Sequence, residues 1–200
     1  MDTEKIKRLN QLWMPVYPFL AKWVKQYCPT GIELTLELGP FSGGISIGLK
    51  TVFPGLKSFF LTPQEEIALL LREQFGKGLE GIVGPLDRLP VKQVFDLVLF
   101  RGAFFFLNQS ILKQIHAALN TGGIAILGGG YGPLTPAREI EKVADESRKL
   151  NAELGKRRVS KEFLWSMVQS AGISEESTII EEGGLWLVID GHSVAGGRKQ

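Results

Sequence analysis

The residues best suited to chemistry fall in one stretch, Leu36-Glu37-Leu38-Gly39-Pro40-Phe41-Ser42-Gly43-Gly44-Ile45-Ser46. A carboxylate at Glu37 can accept hydrogen bonds or pair with a positive group. Glycines let a backbone approach a ligand closely and take up positive φ. The stretch leaves a β-rich run and enters a helical one, and open α/β sheets bind their ligands beyond the carboxyl ends of the strands. A glycine-rich turn without a ligand has the same composition, so the loop alone is weak evidence. Its spacing is not the dinucleotide fingerprint G-x-G-x-x-G. Phe41 stands where a second glycine belongs, and no acid closes the second β-rich run. A nucleotide-dependent oxidoreductase is therefore the weakest reading.

Arg101 follows an apolar run and stands on the rim where a substrate belongs. It could hold a carboxylate or phosphate by a bidentate pair, or bond nearby loop carbonyls or Glu37. Phe104, Phe105 and Phe106 read as core and pocket wall. Tyr131 lies in the glycine-rich segment Gly128–Gly132, which suggests a mobile lid or close backbone packing. Trp13, Met14 and Tyr17 would cap a pocket if the N-terminal helices fold over the strand ends, although a plain docking helix is the simpler reading. One cysteine, Cys28, excludes an intrachain disulfide and a cysteine-cluster metal site, and two distant histidines, His116 and His192, supply a histidine metal site or Ser-His-Asp chemistry poorly. No metal is expected. Cys28 reads as a buried helix-end residue, His116 as solvent-facing, and Lys156-Arg157-Arg158 as a solvated helix boundary.

The elements that must position these residues follow from periodicity. Residues 3–28 are helical with Ile6, Leu9, Leu12 and Trp13 on one face, broken by Pro15 and Pro18 into two helices. β-rich runs at 33–38, 57–61, 80–83, 94–100 and 123–128 alternate with helical stretches at 43–51, 64–75, 109–119, 136–154 and 160–171. Runs that are apolar nearly throughout indicate a parallel sheet covered on both faces. Two last runs, 177–182 and 185–190, joined through Gly183-Gly184, read as an antiparallel hairpin. The predicted fold is α/β: a Rossmann-like three-layer sandwich with a mostly parallel seven-stranded sheet, a C-terminal antiparallel hairpin and N-terminal helices. One domain over 1–192 carries an N-terminal helical cap (1–30), and 193–200 is expected to be a flexible tail. Near-balanced charge, 23 basic against 21 acidic residues, argues against nucleic acid or an anionic membrane as partner. The absence of a long apolar run and a low cysteine count suit a cytoplasmic protein. The hairpin leaves a sheet edge that could pair two copies into a homodimer.

Over nearly its whole length the chain resembles the class I S-adenosylmethionine-dependent methyltransferases. The family's first motif, acid-x-Gly-x-Gly-x-Gly, is similar to the loop through Glu37, Gly39 and Gly43. Leu89-Pro90 followed by Phe95-Asp96-Leu97-Val98 resembles its fourth-strand segment, and Ile115–Gly123 its entry into the fifth strand. Arg101–Phe106, Gly128–Gly132, Gly184-Leu185-Trp186 and Val16-Tyr17-Pro18 look like a subgroup of small methyltransferase-like proteins. The resemblance implies bound S-adenosylmethionine, with the first loop facing its methionine part, the second strand's end its ribose, and the segment after the third strand its adenine. Cofactor contacts are then expected from Glu37, Gly39, Pro40, Phe41, Gly43, Thr62, Leu86, Asp87 and Arg101. A small-molecule substrate would meet Trp13, Tyr17, Phe104 and Tyr131. The pattern departs from the family at Phe41, at Phe60 for the ribose-binding acid and at Pro85 for the acid after the third strand. These departures support a second hypothesis, a catalytically silent domain that binds another ligand or a protein partner.

Overall fold

The computed structural model describes residues 1–28, 31–76 and 78–191. The tail expected at 193–200 lies outside them, as does His192. Seven strands form one sheet: β1 (Leu34–Leu38), β2 (Lys57–Thr62), β3 (Glu80–Val83), β4 (Phe95–Arg101), β5 (Leu119–Gly130), β6 (Ser177–Ile180) and β7 (Gly184–Asp190). Their order is β3-β2-β1-β4-β5-β7-β6. The first five pair in parallel and β7 runs antiparallel between β5 and β6, as the hairpin pattern predicts. The order reverses between β1 and β4, the topological switch at which such sheets bind ligands.

Seven helices cover the sheet: α1 (Thr3–Leu12), α2 (Tyr17–Lys25), α3 (Gly44–Lys50), α4 (Glu65–Phe75), α5 (Gln109–Ala118), α6 (Ala137–Glu153) and α7 (Lys161–Ala171). The two-residue period of a strand sends alternate side chains to opposite layers. On β1 and β4, Leu36, Leu38, Val98 and Phe100 join α5 and α7 in one core, while Leu97 and Leu99 join α1–α4 and α6 in the other. The same alternation sends Glu37 and Arg101 to the α1–α4 layer.

The N-terminal break differs in detail from the expected one. Pro15 lies in the connection, but Pro18 sits in the first turn of α2, where a missing N–H costs nothing. Strand β5 begins at Leu119, four residues before the expected start, because Asn120 and its neighbours pair irregularly with the start of β4. Asp96 closes that end of the sheet, accepting from the backbone N–H of Glu33 (2.7 Å) and Leu34 (2.8 Å). It is a structural carboxylate at the edge opposite the loop.

Candidate functional site

Glu37, 1% exposed, ends β1 beneath the loop and accepts from the backbone N–H of Ser46 at 2.7 Å. Burial raises its pKa, while hydrogen bonds from Ser46 and Gly43 and the charge of Arg101 act the other way. The carboxylate thus ties β1 to the start of α3. Gly43, at φ 105°, makes the turn between them, a conformation that side chains resist.

Arg101 ends β4 beside this loop and is 5% exposed. Its Nη2 donates to Tyr17 Oη (2.7 Å) and Asn10 Oδ1 (2.9 Å), and its Nε to the Phe41 carbonyl (3.4 Å). Three rings surround the guanidinium, with centroids at 4.6 Å for Trp13, 5.1 Å for Tyr17 and 4.9 Å for Phe41. A desolvated cation over an aromatic face gains about 2 kcal/mol, which offsets part of the cost of burying the charge. Burial still lowers the Arg101 pKa, against the opposing pull of Tyr17 and Glu37. Burial likewise pushes the Tyr17 phenol up to about 12.

The N-terminal helices fasten this cluster from above. Asn10 donates to the Pro40 carbonyl (3.1 Å) and to Gln74 Oε1 (3.2 Å), and accepts from Tyr17 Oη (3.3 Å). Trp13 Nε1 donates to Ser147 Oγ at 2.9 Å, and its ring stacks on Tyr131 with centroids 4.8 Å apart. Trp13 and Tyr17 therefore do cap the strand ends. Met14 is 50% exposed.

The structure thus joins Trp13, Tyr17, Glu37, Pro40, Phe41, Gly43 and Arg101, with Tyr131 at the margin. Leu86 and Phe104 pack instead in the core on the α5–α7 side of the sheet. Asp87 is exposed in the turn after β3, as is Pro85. The β-rich run at 57–61 stops one residue short of the real strand. Strand β2 continues to Thr62, so Thr62, and not Phe60, stands at its carboxyl end. Phe60 lies inside the sheet, fully buried, with its ring against Gly81. Cys28 is half-buried and donates to the Val24 carbonyl at 3.4 Å, with its thiol pushed up to about 12 by burial. His116 is half-buried on α5 and does not face solvent freely. No cluster of His, Cys, Asp and Glu suited to a metal ion occurs among the described residues.

The sequence matches no protein-family model and no curated protein. Solved structures do match. A Methanococcus maripaludis protein assigned as an S-adenosyl-L-methionine-dependent methyltransferase superposes with TM-score 0.76 at 19% identity, over 96% of this chain and 94% of that one. This chain has the class I methyltransferase fold. An Aquifex aeolicus methyltransferase of the same cofactor dependence superposes with TM-score 0.64 at 13% identity, over 95% and 97% of the two chains. The geranyl diphosphate C-methyltransferase of Streptomyces coelicolor, bound to S-adenosyl-L-homocysteine, gives 0.60 at 11% identity, over 86% and 76%.

The methyltransferase fold puts the loop where the resemblance expects it, but the loop's open face is covered. A Cβ on Gly43 would stand 2.6 Å from Phe75 and 2.9 Å from Leu79, and one on Gly44 would collide with the Tyr17 ring. In this conformation Phe75, Leu79 and Tyr17 pack directly on the Gly43–Gly44 end of the loop. Asn10 is the participant that sequence reasoning misses, because a lone polar residue on an amphipathic helix carries no signal of its partner 91 positions away.

Proposed function

We propose that this chain is an S-adenosylmethionine-dependent methyltransferase acting on a small molecule, with its N-terminal helices closed over the cofactor loop in this conformation. The observation that carries this reading is the acid-and-glycine loop at the β1–β4 switch of a fold matched over 96% of the chain. Glu37, Gly39, Gly43 and Thr62 would meet the cofactor, with α1 and α2 lifted from the loop. Asp87, in the exposed turn after β3, could join them only by a loop movement. Trp13, Tyr17 and Tyr131 would line the acceptor side.

Methyl transfer asks mainly for alignment of donor and acceptor in a water-free site. The aromatic closure suits that demand. No helix among the described residues is long and apolar enough to cross a membrane, and the lone reduced thiol suits the cytoplasm. Pairing of two copies along the β6 edge belongs to the same proposal.

One observation favours the second reading, a silent domain of the same fold: Arg101, held among three rings, puts a permanent cation beside the loop. Calorimetry with S-adenosylhomocysteine separates the two. Binding in the micromolar range supports the enzyme. No heat at millimolar ligand sinks it, and a gain of binding in a Phe41→Gly, Thr62→Asp variant would then mark a site that has degenerated.

A further inference from the structure

Past the closed loop, the rim of the sheet changes character. Gly129, Gly130 and Tyr131 at the exit of β5 are half-buried, as is Leu185, which pairs with Gly129 from β7. Lys156 reaches into this section. The chain reverses after α6 through Gly155, at φ 82°, and the Lys156 backbone N–H returns to the Asn151 carbonyl at 2.9 Å. That turn lays the lysine side chain over the glycine strand, with Nζ 3.2 Å from where a Cβ on Gly129 would stand and Phe104 3.8 Å from the same point.

The expectation of a solvated Lys156 is therefore corrected: it is half-buried. Its ammonium has no hydrogen bond or ion pair among the described residues. The nearest acid in sequence, Glu153, is turned to Lys5 at 3.1 Å. Burial lowers the Lys156 pKa, and repulsion from Arg101 adds to that effect. A partly desolvated cation with repulsion and no counter-ion is unfavourable by itself. Arg101 is poorly placed to take up the anion, since it is 5% exposed, enclosed by three rings and already donating to Phe41, Asn10 and Tyr17.

We propose that the β5 exit receives an anionic oxygen group of the methyl acceptor, a carboxylate or a phosphate, with Lys156 as its counter-ion. The inference rests on the methyltransferase reading for the word acceptor, but not for the anion site. Arg157 and Arg158, both exposed, follow at the outer edge and would draw the anion in. Phe104 offers an apolar wall beside the ammonium, 3.8 Å from the point over Gly129 that Lys156 Nζ approaches to 3.2 Å. A small aromatic acid or phosphate monoester matches that pairing of surfaces.

Titration of the full chain with benzoate and with phenyl phosphate, followed by amide resonances, tests the proposal. At least one should bind saturably and shift Gly129 and Gly130. Lys156→Met should weaken it at least tenfold, while Lys156→Arg keeps affinity within about threefold, as loss or retention of a charge-assisted pair requires. Which of the two probes binds tells carboxylate from phosphate. No saturable binding of either probe, shifts confined to another surface, or equal binding by Lys156→Met overturns the proposal. If Lys156→Met fails to fold, the location of the shifts in the unmodified chain decides alone. A parallel titration with S-adenosylhomocysteine keeps the questions apart. Anion binding without it leaves the site standing on a silent domain, and its binding without any anion leaves the enzyme reading standing and removes the site.

Discussion

The ends of β1 and β4 and the exit of β5 share one rim of one sheet, yet they are finished in opposite ways. At β1 and β4 the charged groups have partners from the same chain: Glu37 holds Ser46, Arg101 holds Tyr17 and Asn10, and three rings enclose the cation. At β5 the wall is bare glycine, and the cation laid over it has no partner among the described residues. The first region commits its polar groups to closure. The second keeps a charge in reserve. On a common scaffold, stability and recognition have been placed side by side rather than in the same residues.

The sharpest way to break this contrast is to remove the cation at the closed end. Arg101→Ala leaves Glu37 buried without its counter-charge and Asn10 and Tyr17 without their donor. It should cost about 3–5 kcal/mol, the usual loss when one member of a buried charged network goes, read from urea unfolding midpoints. A loss below about 1 kcal/mol would mean that Arg101 does not hold the seal. Phe41→Ala comes next, with a cost of about 3 kcal/mol from the lost ring. The same change should raise affinity for S-adenosylhomocysteine by clearing the loop, and unchanged affinity would show that Phe41 is not what blocks it.

Tyr17 gives the pH version of the test. Its phenol ionises near 10 in the unfolded chain and at about 12 in the folded one. The native state therefore keeps the proton longer, so its stability is intact below pH 10 and falls as pH rises to 12. Two pKa units amount to about 3 kcal/mol. Thermal melts of the wild type and Tyr17→Phe between pH 9 and 12 should differ by a loss of that size, present in the wild type alone. The smallest effect belongs to the open end. Lys156→Met should change stability by less than about 0.5 kcal/mol or raise it slightly, because the lysine makes no stabilising pair to lose. A large destabilisation would reveal a structural lysine and dissolve the contrast.

Much of this arrangement is legible in the residue pattern. The apolar runs and the Gly183-Gly184 turn announce a mostly parallel seven-stranded sheet ending in an antiparallel hairpin, and Glu37 with its glycines marks the switch point. What escapes has physical causes. The end of β2 is hidden because its last residue is polar, although Thr62 still pairs with β3. Arg101 leaves two kinds of partner open, since a guanidinium serves a ligand or a carbonyl equally well. Its actual side-chain partners, Asn10 and Tyr17, lie 91 and 84 residues away, a distance over which local pattern carries no information. Lys156 is masked by its neighbours. Three cations in a row look solvated, and only the missing side chains of β5 make room for one of them to turn inward.

Those missing side chains have one more consequence. At the far end of β5 a Cβ on Gly183 would run into the Gly132–Pro133 peptide, and one on Gly130 into Gly183. Main chain there packs against main chain, and a side chain at Gly130 or Gly183 would rupture the β5–β7 pairing. Change in what the β5 exit accepts has to come from residues that reach over it from outside, as Lys156 does from the α6–α7 connection. A lineage could exchange that one side chain and alter its preference for charge while the frame beneath stays fixed.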